Sequence, residues 1–154
     1  MIKINVITNN PKWLGYFKNP NIYVENQTKN LNKRIRIFKK KNIFCTILLS
    51  DSHEIRKLNK KFRNRNKSTD ILSFPFYKKK EFQSRLKRNK EIYIGDIILN
   101  FDKMKNKKDH TNFKLEFDKL WIHGFVHLFG YDHKKNKDFY VMQKVEKKYL
   151  SFIN

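Results

Sequence analysis

Three histidines, His123, His127 and His133, fall within eleven residues in the stretch LWIHGFVHLFGYDH. On a helix, residues four apart return to within about 40° of one another around the axis, so the imidazoles of His123 and His127 converge on one side. That spacing suits a single metal ion. Gly130 ends the helix naturally, since glycine is favoured just past a C-terminus, and the chain can turn there to bring His133 to the same ion. Three nitrogen ligands with no evident fourth protein ligand leave a coordination position open, as in a catalytic zinc site. Such an ion lowers the pKa of bound water and polarises a carbonyl or phosphoryl oxygen, so hydrolysis is the natural chemistry. The metalloprotease helix shares this histidine spacing but places a glutamate base directly after the first histidine. Here that position is Gly124. A peptidase or small-molecule hydrolase is therefore a minor alternative. His53 and His110 read as ordinary hydrogen-bonded or surface side chains.

The elements that must position these side chains are legible in the periodicity. Residues Asn112 to Phe129 form a helix in which Phe113, Phe117, Leu120, Trp121 and Leu128 make an apolar stripe beside the histidine face. A second helix, Lys137 to Leu150, follows the turn Gly130-Tyr131-Asp132-His133. Upstream, Ile2 to Ile7 alternates like a half-buried strand, and Asn21 to Lys41 carries Val24, Thr28, Leu31, Ile35 and Phe38 at helical spacings. Ile43 to Leu49 is a continuous β-rich run, as expected of a strand covered on both faces. Asp51 with Glu54 resembles a capping box, opening a helix whose buried stripe is Ile55, Leu58 and Phe62. Ile71 to Phe76 and Glu91 to Asn100 read as the strands of a wide hairpin, split by the polar and basic loop Tyr77 to Lys90. The order β-α-β-α-β-β-α-α describes one α/β (α+β) domain over residues 1–154. One mixed four-stranded sheet packs against helices, with the metal site on a C-terminal helix and the following turn.

Several longer motifs carry a resemblance. His123, Gly124, His127, Leu128, Gly130, Tyr131, Asp132 and His133 match without a gap the His-Gly-x-x-His-Leu-x-Gly-Tyr-Asp-His signature of the YbeY family of bacterial rRNA-processing metalloproteins. Leu58, Asn59, Phe62 and Arg63 are similar to its Leu-Asn-x-x-Phe/Tyr-Arg element. Thr69, Asp70, Leu72, Ser73, Phe74 and Pro75 resemble its Thr-Asp-x-Leu-Ser-Phe-Pro element, and Gly95, Asp96 and Ile97 its Gly-Asp-Ile strand. The resemblance implies one zinc ion held by His123, His127 and His133, and a single-strand-specific endoribonuclease. It further implies action in maturing the 3′ end of 16S rRNA and in ribosome quality control, with Arg63 as the basic residue implicated in activity. rRNA and the small ribosomal subunit are the implied partners. A non-catalytic zinc-containing factor that binds rRNA is the alternative from another class.

Read singly, the remaining candidates divide between structure and chemistry. Arg63 ends the capped helix, where a guanidinium either answers the helix dipole or clamps a phosphate with its rigid donor fork. Asp132, next to a ligand, can accept a hydrogen bond from a metal-bound imidazole. Glu116 shares the histidine face and reads as a solvated charge. Asp70 and Ser73 read as turn and capping residues, and Asp96 as a carboxylate that needs a partner. Phe76, Tyr77 and Tyr131 are possible base-stacking platforms. No side chain stands out as a general base.

Charge is weaker testimony. The chain has 36 Lys plus Arg against 14 Asp plus Glu, a formal charge of +22, which attracts polyanions. Yet alanine is absent, Gly and Pro number 4 and 3, and Lys outnumbers Arg, a skew that AT-rich codons also produce. The basic run Lys78 to Lys90 is open to both readings, RNA grip or drift. No stretch reaches the roughly 18 apolar residues of a membrane span, and the N-terminus lacks a signal peptide's apolar centre. Cys45, the one cysteine, sits in an apolar run and reads as a buried reduced thiol. The expectation is a cytoplasmic protein, monomeric by default and away from membranes.

Overall fold

The computed structural model describes residues 1–36 and 40–154. Four strands, β1 (Ile2–Thr8), β2 (Asn42–Ser50), β3 (Ile71–Pro75) and β4 (Glu91–Asn100), form one sheet in the order β1-β2-β4-β3. β1, β2 and β4 run parallel and β3 is antiparallel to β4, so the sheet is mixed as expected. Helices α1 (Pro20–Arg34), α2 (Ser52–Arg63), α3 (Lys79–Arg88), α4 (His110–Leu128) and α5 (Asn136–Ile153) complete the described elements, with short 3-10 turns at Pro11–Gly15 and Phe101–Lys103.

The main core lies between one face of the sheet and helices α1, α4 and α5. Ile43, Ile47, Leu49, Ile94, Ile97 and Leu99 point into it from the strands and Trp13, Phe113, Phe117, Trp121 and Phe125 meet them, all fully buried. The α4 stripe expected from the sequence is therefore what docks the histidine helix, with only Leu120 part-exposed. α2 packs on the other face over Ile98, Leu72 and Phe74. That face is otherwise open. β2 consequently alternates buried and half-buried residues, unlike the strand covered on both faces that its apolar run suggests.

Three features differ from the sequence reading. α1 stops at Arg34, where Ile35 turns extended (φ −108°, ψ 107°) yet still packs on the core, so its apolar side chain mimicked a further helical turn. Phe38, placed on the same stripe, lies outside the described residues. In α2, Asp51 caps as expected, accepting from the Glu54 amide at 3.0 Å, but Glu54 accepts from Ser50 Oγ and Asn9 rather than closing the box. Its buried face is Ile55 and Asn59, while Phe62 is 61% exposed and stands edge-on to Phe74. Finally, the expected loop Tyr77 to Lys90 contains α3, which buries Phe82 and tucks Leu86 against the core. Cys45 is buried, which pushes its thiol pKa up. No helix among the described residues is long and apolar enough to cross a membrane.

Candidate metal centre

α4 is capped by Asp109, whose carboxylate accepts from the amides of Thr111 (2.9 Å) and Asn112 (3.2 Å). The helix then presses unusually close to the sheet at Gly124. A Cβ built there would stand 2.8 Å from Ile97 Cγ2, 2.9 Å from Ile71 Cδ1 and 3.0 Å from Ser73 Oγ. This is the physical reason that the protease glutamate has no place in this chain: any side chain at 124 would drive into β3 and β4. The glycine sets how closely α4, the helix that carries His123 and His127, approaches β3 and β4.

At the other end the chain reverses at Gly130 (φ 84°), with the Gly130 amide donating to the His127 carbonyl at 2.9 Å. His133 thereby returns to the two helical imidazoles. One ligand-capable atom from each of the three lies within 4.8 Å of the others, and no further such group of His, Cys, Asp or Glu occurs among the described residues. The Nε2 atoms of His123 and His127 are 3.2 Å apart. Nitrogens bonded to one zinc-sized ion at tetrahedral angles stand about 3.3 to 3.4 Å apart.

The outer nitrogens decide the tautomers. His123 Nδ1 lies 2.8 Å from Glu146 Oε1 on α5, and His127 Nδ1 lies 2.9 Å from the Tyr131 carbonyl oxygen. Both partners are acceptors, so each Nδ1 carries the proton and each Nε2 presents a lone pair to the shared centre. Two lone pairs facing each other at this distance repel unless a cation lies between them. Burial, followed by the nearby His123 and His133, holds the His127 pKa below its ordinary value, which keeps that ring neutral and able to ligate. The donor set fits a divalent metal.

A model described as endoribonuclease YbeY matches residues 18–154. The chain belongs to the endoribonuclease YbeY family. Relatives named Endoribonuclease YbeY include one from Pelagibacter ubique (strain HTCC1062), 41% identical over 99% of this chain and 97% of that protein, and one from Ehrlichia ruminantium (strain Gardel), 33% identical over 97% and 89%. The solution structure of TM1509 from Thermotoga maritima is 27% identical, with a TM-score of 0.58 over 99% of this chain and 89% of that one.

In this YbeY-family chain Arg63 is exposed at the end of α2, before the left-handed Asn64 (φ 54°). Its Nη2 donates to the Ser73 carbonyl at 2.6 Å, and its Cζ lies 5.3 Å from the centre of the Phe74 ring. It is thereby pinned to edge strand β3, the strand on which α4 packs. Asp132 does not supply the imidazole contact proposed from sequence: Oδ1 accepts from the His133 amide at 2.7 Å and Oδ2 faces Lys134 at 3.6 Å. Glu116 is more than a solvated charge. It accepts from the amides of Lys105 and Asn106, both at 2.9 Å, and fixes that loop. Asp96 finds its partner in the Tyr93 hydroxyl. Asp70 and Ser73 contribute backbone carbonyls, to Asn100 and Arg63, consistent with structural roles. His53 and His110 lie outside the cluster. The sequence reading missed Glu146, although an acid one turn from buried Met142 and from Tyr149 on α5 was a visible signal.

Proposed function

We propose that the chain is one metal-dependent endoribonuclease domain, using a single zinc ion to cut single-stranded RNA. We further propose that it matures the 3′ end of 16S rRNA and serves ribosome quality control in the cytoplasm, with rRNA and the small subunit as partners. The observation that carries this reading is the convergence of His123, His127 and His133 with both helical Nε2 lone pairs turned to one point. The names of its relatives support an RNA substrate.

His123, His127 and His133 would hold the ion, and when bound it supplies Lewis acidity toward a phosphoryl oxygen and a lowered pKa for water. Glu146 and the Tyr131 carbonyl orient the rings, so that little reorganisation accompanies binding. The exposed Arg63 guanidinium keeps further N–H donors beyond the one given to Ser73, and these can grip the scissile phosphodiester as negative charge accumulates on its oxygens. An in-line attack by water and one by the adjacent ribose 2′-hydroxyl are both open to this set of groups.

The test uses purified protein of measured metal content, incubated with unstructured RNA and 16S 3′-end RNA, with and without chelator. Arg63→Ala and His127→Ala run beside it. Cleavage that chelator and both substitutions abolish is the expected result. Cleavage persisting in both variants, or metal far below one ion per chain, would overturn the reading. RNA binding without cleavage, with unfolding on metal removal, would assign the ion to structure instead.

A further inference from the structure

The sheet face that α2 leaves open carries one row of side chains set by strand register. Lys3 pairs with Phe44 and Phe44 with Tyr93 on adjacent strands, about 4.8 Å apart. Phe76 extends β3 by one residue, its amide donating to the Ile94 carbonyl at 2.9 Å, and its ring meets Tyr93 edge-on at 6.0 Å. A cation closes each end. Lys3 Nζ lies 6.0 Å from the Phe44 ring, while the Phe76 ring meets Tyr77 at 5.0 Å and Arg85 lies 5.6 Å over Tyr77.

This row is built rather than accidental. The Tyr93 hydroxyl is tied to Asp96 and lies 2.9 Å from Thr46 Oγ1, which fixes its ring; its pKa is pushed up to about 12, chiefly by burial, so the phenol stays neutral. Phe76 keeps 64% of its surface exposed even though its ring edge meets Tyr93 and Tyr77. A depression of about 630 Å³ lies over the same face, lined by Lys3, Asn5, Phe44, Thr46 and Tyr93 among others.

We propose that the Lys3–Phe44–Tyr93–Phe76 row is a second RNA site that stacks unpaired bases, on the sheet face turned away from α4 and the metal centre. Aromatic rings with a cation at each end fit the π-faces and phosphates of a single strand. Duplex RNA hides its base faces in its own stack. A protein partner fits poorly, because the row contains no aliphatic side chain and is bordered by Asn5, Thr46 and Asp96, while the chain's +22 charge favours a polyanion. The proposal rests on the RNA-cleaving reading only in taking RNA as the strand.

The test is anisotropy of a labelled 2′-O-methyl uridine decamer, checked intact by gel, with the full metal-loaded protein. Phe76→Ala leaves the fold alone because the ring is exposed, and Phe44→Leu keeps apolar volume while removing a ring. Each should weaken binding about 5- to 150-fold, the range for loss of one stacking platform. Lys3→Gln should lower the salt slope by about 0.7. The losses should recur in a His127→Ala background, and they stand even if the protein cuts no RNA, which separates this site from the cleavage reading. Affinity unchanged in a folded Phe44→Leu/Phe76→Ala double variant would overturn the proposal. So would equal losses on duplex RNA, or self-association in sedimentation that Phe76→Ala abolishes.

Discussion

Gly124→Ala separates helix stability from site geometry. An alanine Cβ would sit 2.8 Å from Ile97 Cγ2, about 0.6 Å inside the 3.4 Å at which ordinary contact begins, with Ile71 Cδ1 and Ser73 Oγ crowding it at 2.9 and 3.0 Å. Ile71 Cδ1 and Ser73 Oγ are side-chain ends that can turn, but Ile97 Cγ2 sits on the branched Cβ of a fully buried residue, so the expected response is a lift of α4. Overpacking of this kind costs about 1 to 3 kcal/mol, against about 1 kcal/mol gained from replacing a helical glycine. Net stability therefore falls by no more than about 2 kcal/mol. The site is less forgiving, because metal ligands tolerate displacements of only about 0.5 Å, and lifting α4 moves His123 and His127 away from Glu146 and His133. Metal affinity should drop at least tenfold while the protein melts within several degrees of the parent. The assay is competitive metal titration beside thermal unfolding of the metal-free protein, with Gly15→Ala as control, since a Cβ there meets nothing within 4 Å. An alanine variant that is more stable and binds metal like the parent would refute the argument that close helix–sheet approach sets the site.

Glu146→Ala should weaken metal binding about 10- to 100-fold by releasing the His123 ring, with Glu146→Gln between it and the parent; unchanged affinity in the same titration would remove Glu146 from ring positioning. Arg63→Lys keeps the charge but loses the fork, so kcat should fall on the order of 10²-fold with KM little changed, and a change confined to KM would mean a role in binding alone. Asp118 is buried between the Tyr23 hydroxyl and the Trp121 indole, and burial lifts its pKa from 3.8 to about 6. Its folded state binds the proton more tightly than the unfolded chain, so this group costs stability as pH rises from about 4 to 6, by about 3 kcal/mol once fully ionised. Comparing denaturation of the parent and Asp118→Asn across that window isolates the effect, and parallel pH profiles would contradict it.

The strands and the histidine helix were legible because their apolar residues face one core at periods of two and 3.6. α3 was not. Its ten residues, KKEFQSRLKR, carry one stripe of Phe82 and Leu86 among charges, and Lys78 offers no side-chain cap, so local polarity resembled a loop. α1 was overextended for the opposite reason. Ile35 sits in step with Val24, Thr28 and Leu31, and only tertiary packing shows that an extended residue can reach the same core.

The metal ligands could be read from spacing because two of them share a helix and the third follows one turn later, so local geometry alone brings them together. What orients them is not local. Glu146 is 23 residues from His123, on a helix whose docking against α4 follows from packed faces, and no spacing rule connects the two. The Tyr131 carbonyl that fixes His127 is a backbone atom, present at every residue and informative only once Gly130 has turned the chain. Sequence thus named the atoms that would touch the ion, while the atoms that hold their rings in the ligating tautomer emerge from the fold. It follows that substitutions at the α4–α5 contact or at the Gly130 turn should weaken metal binding without altering a ligand.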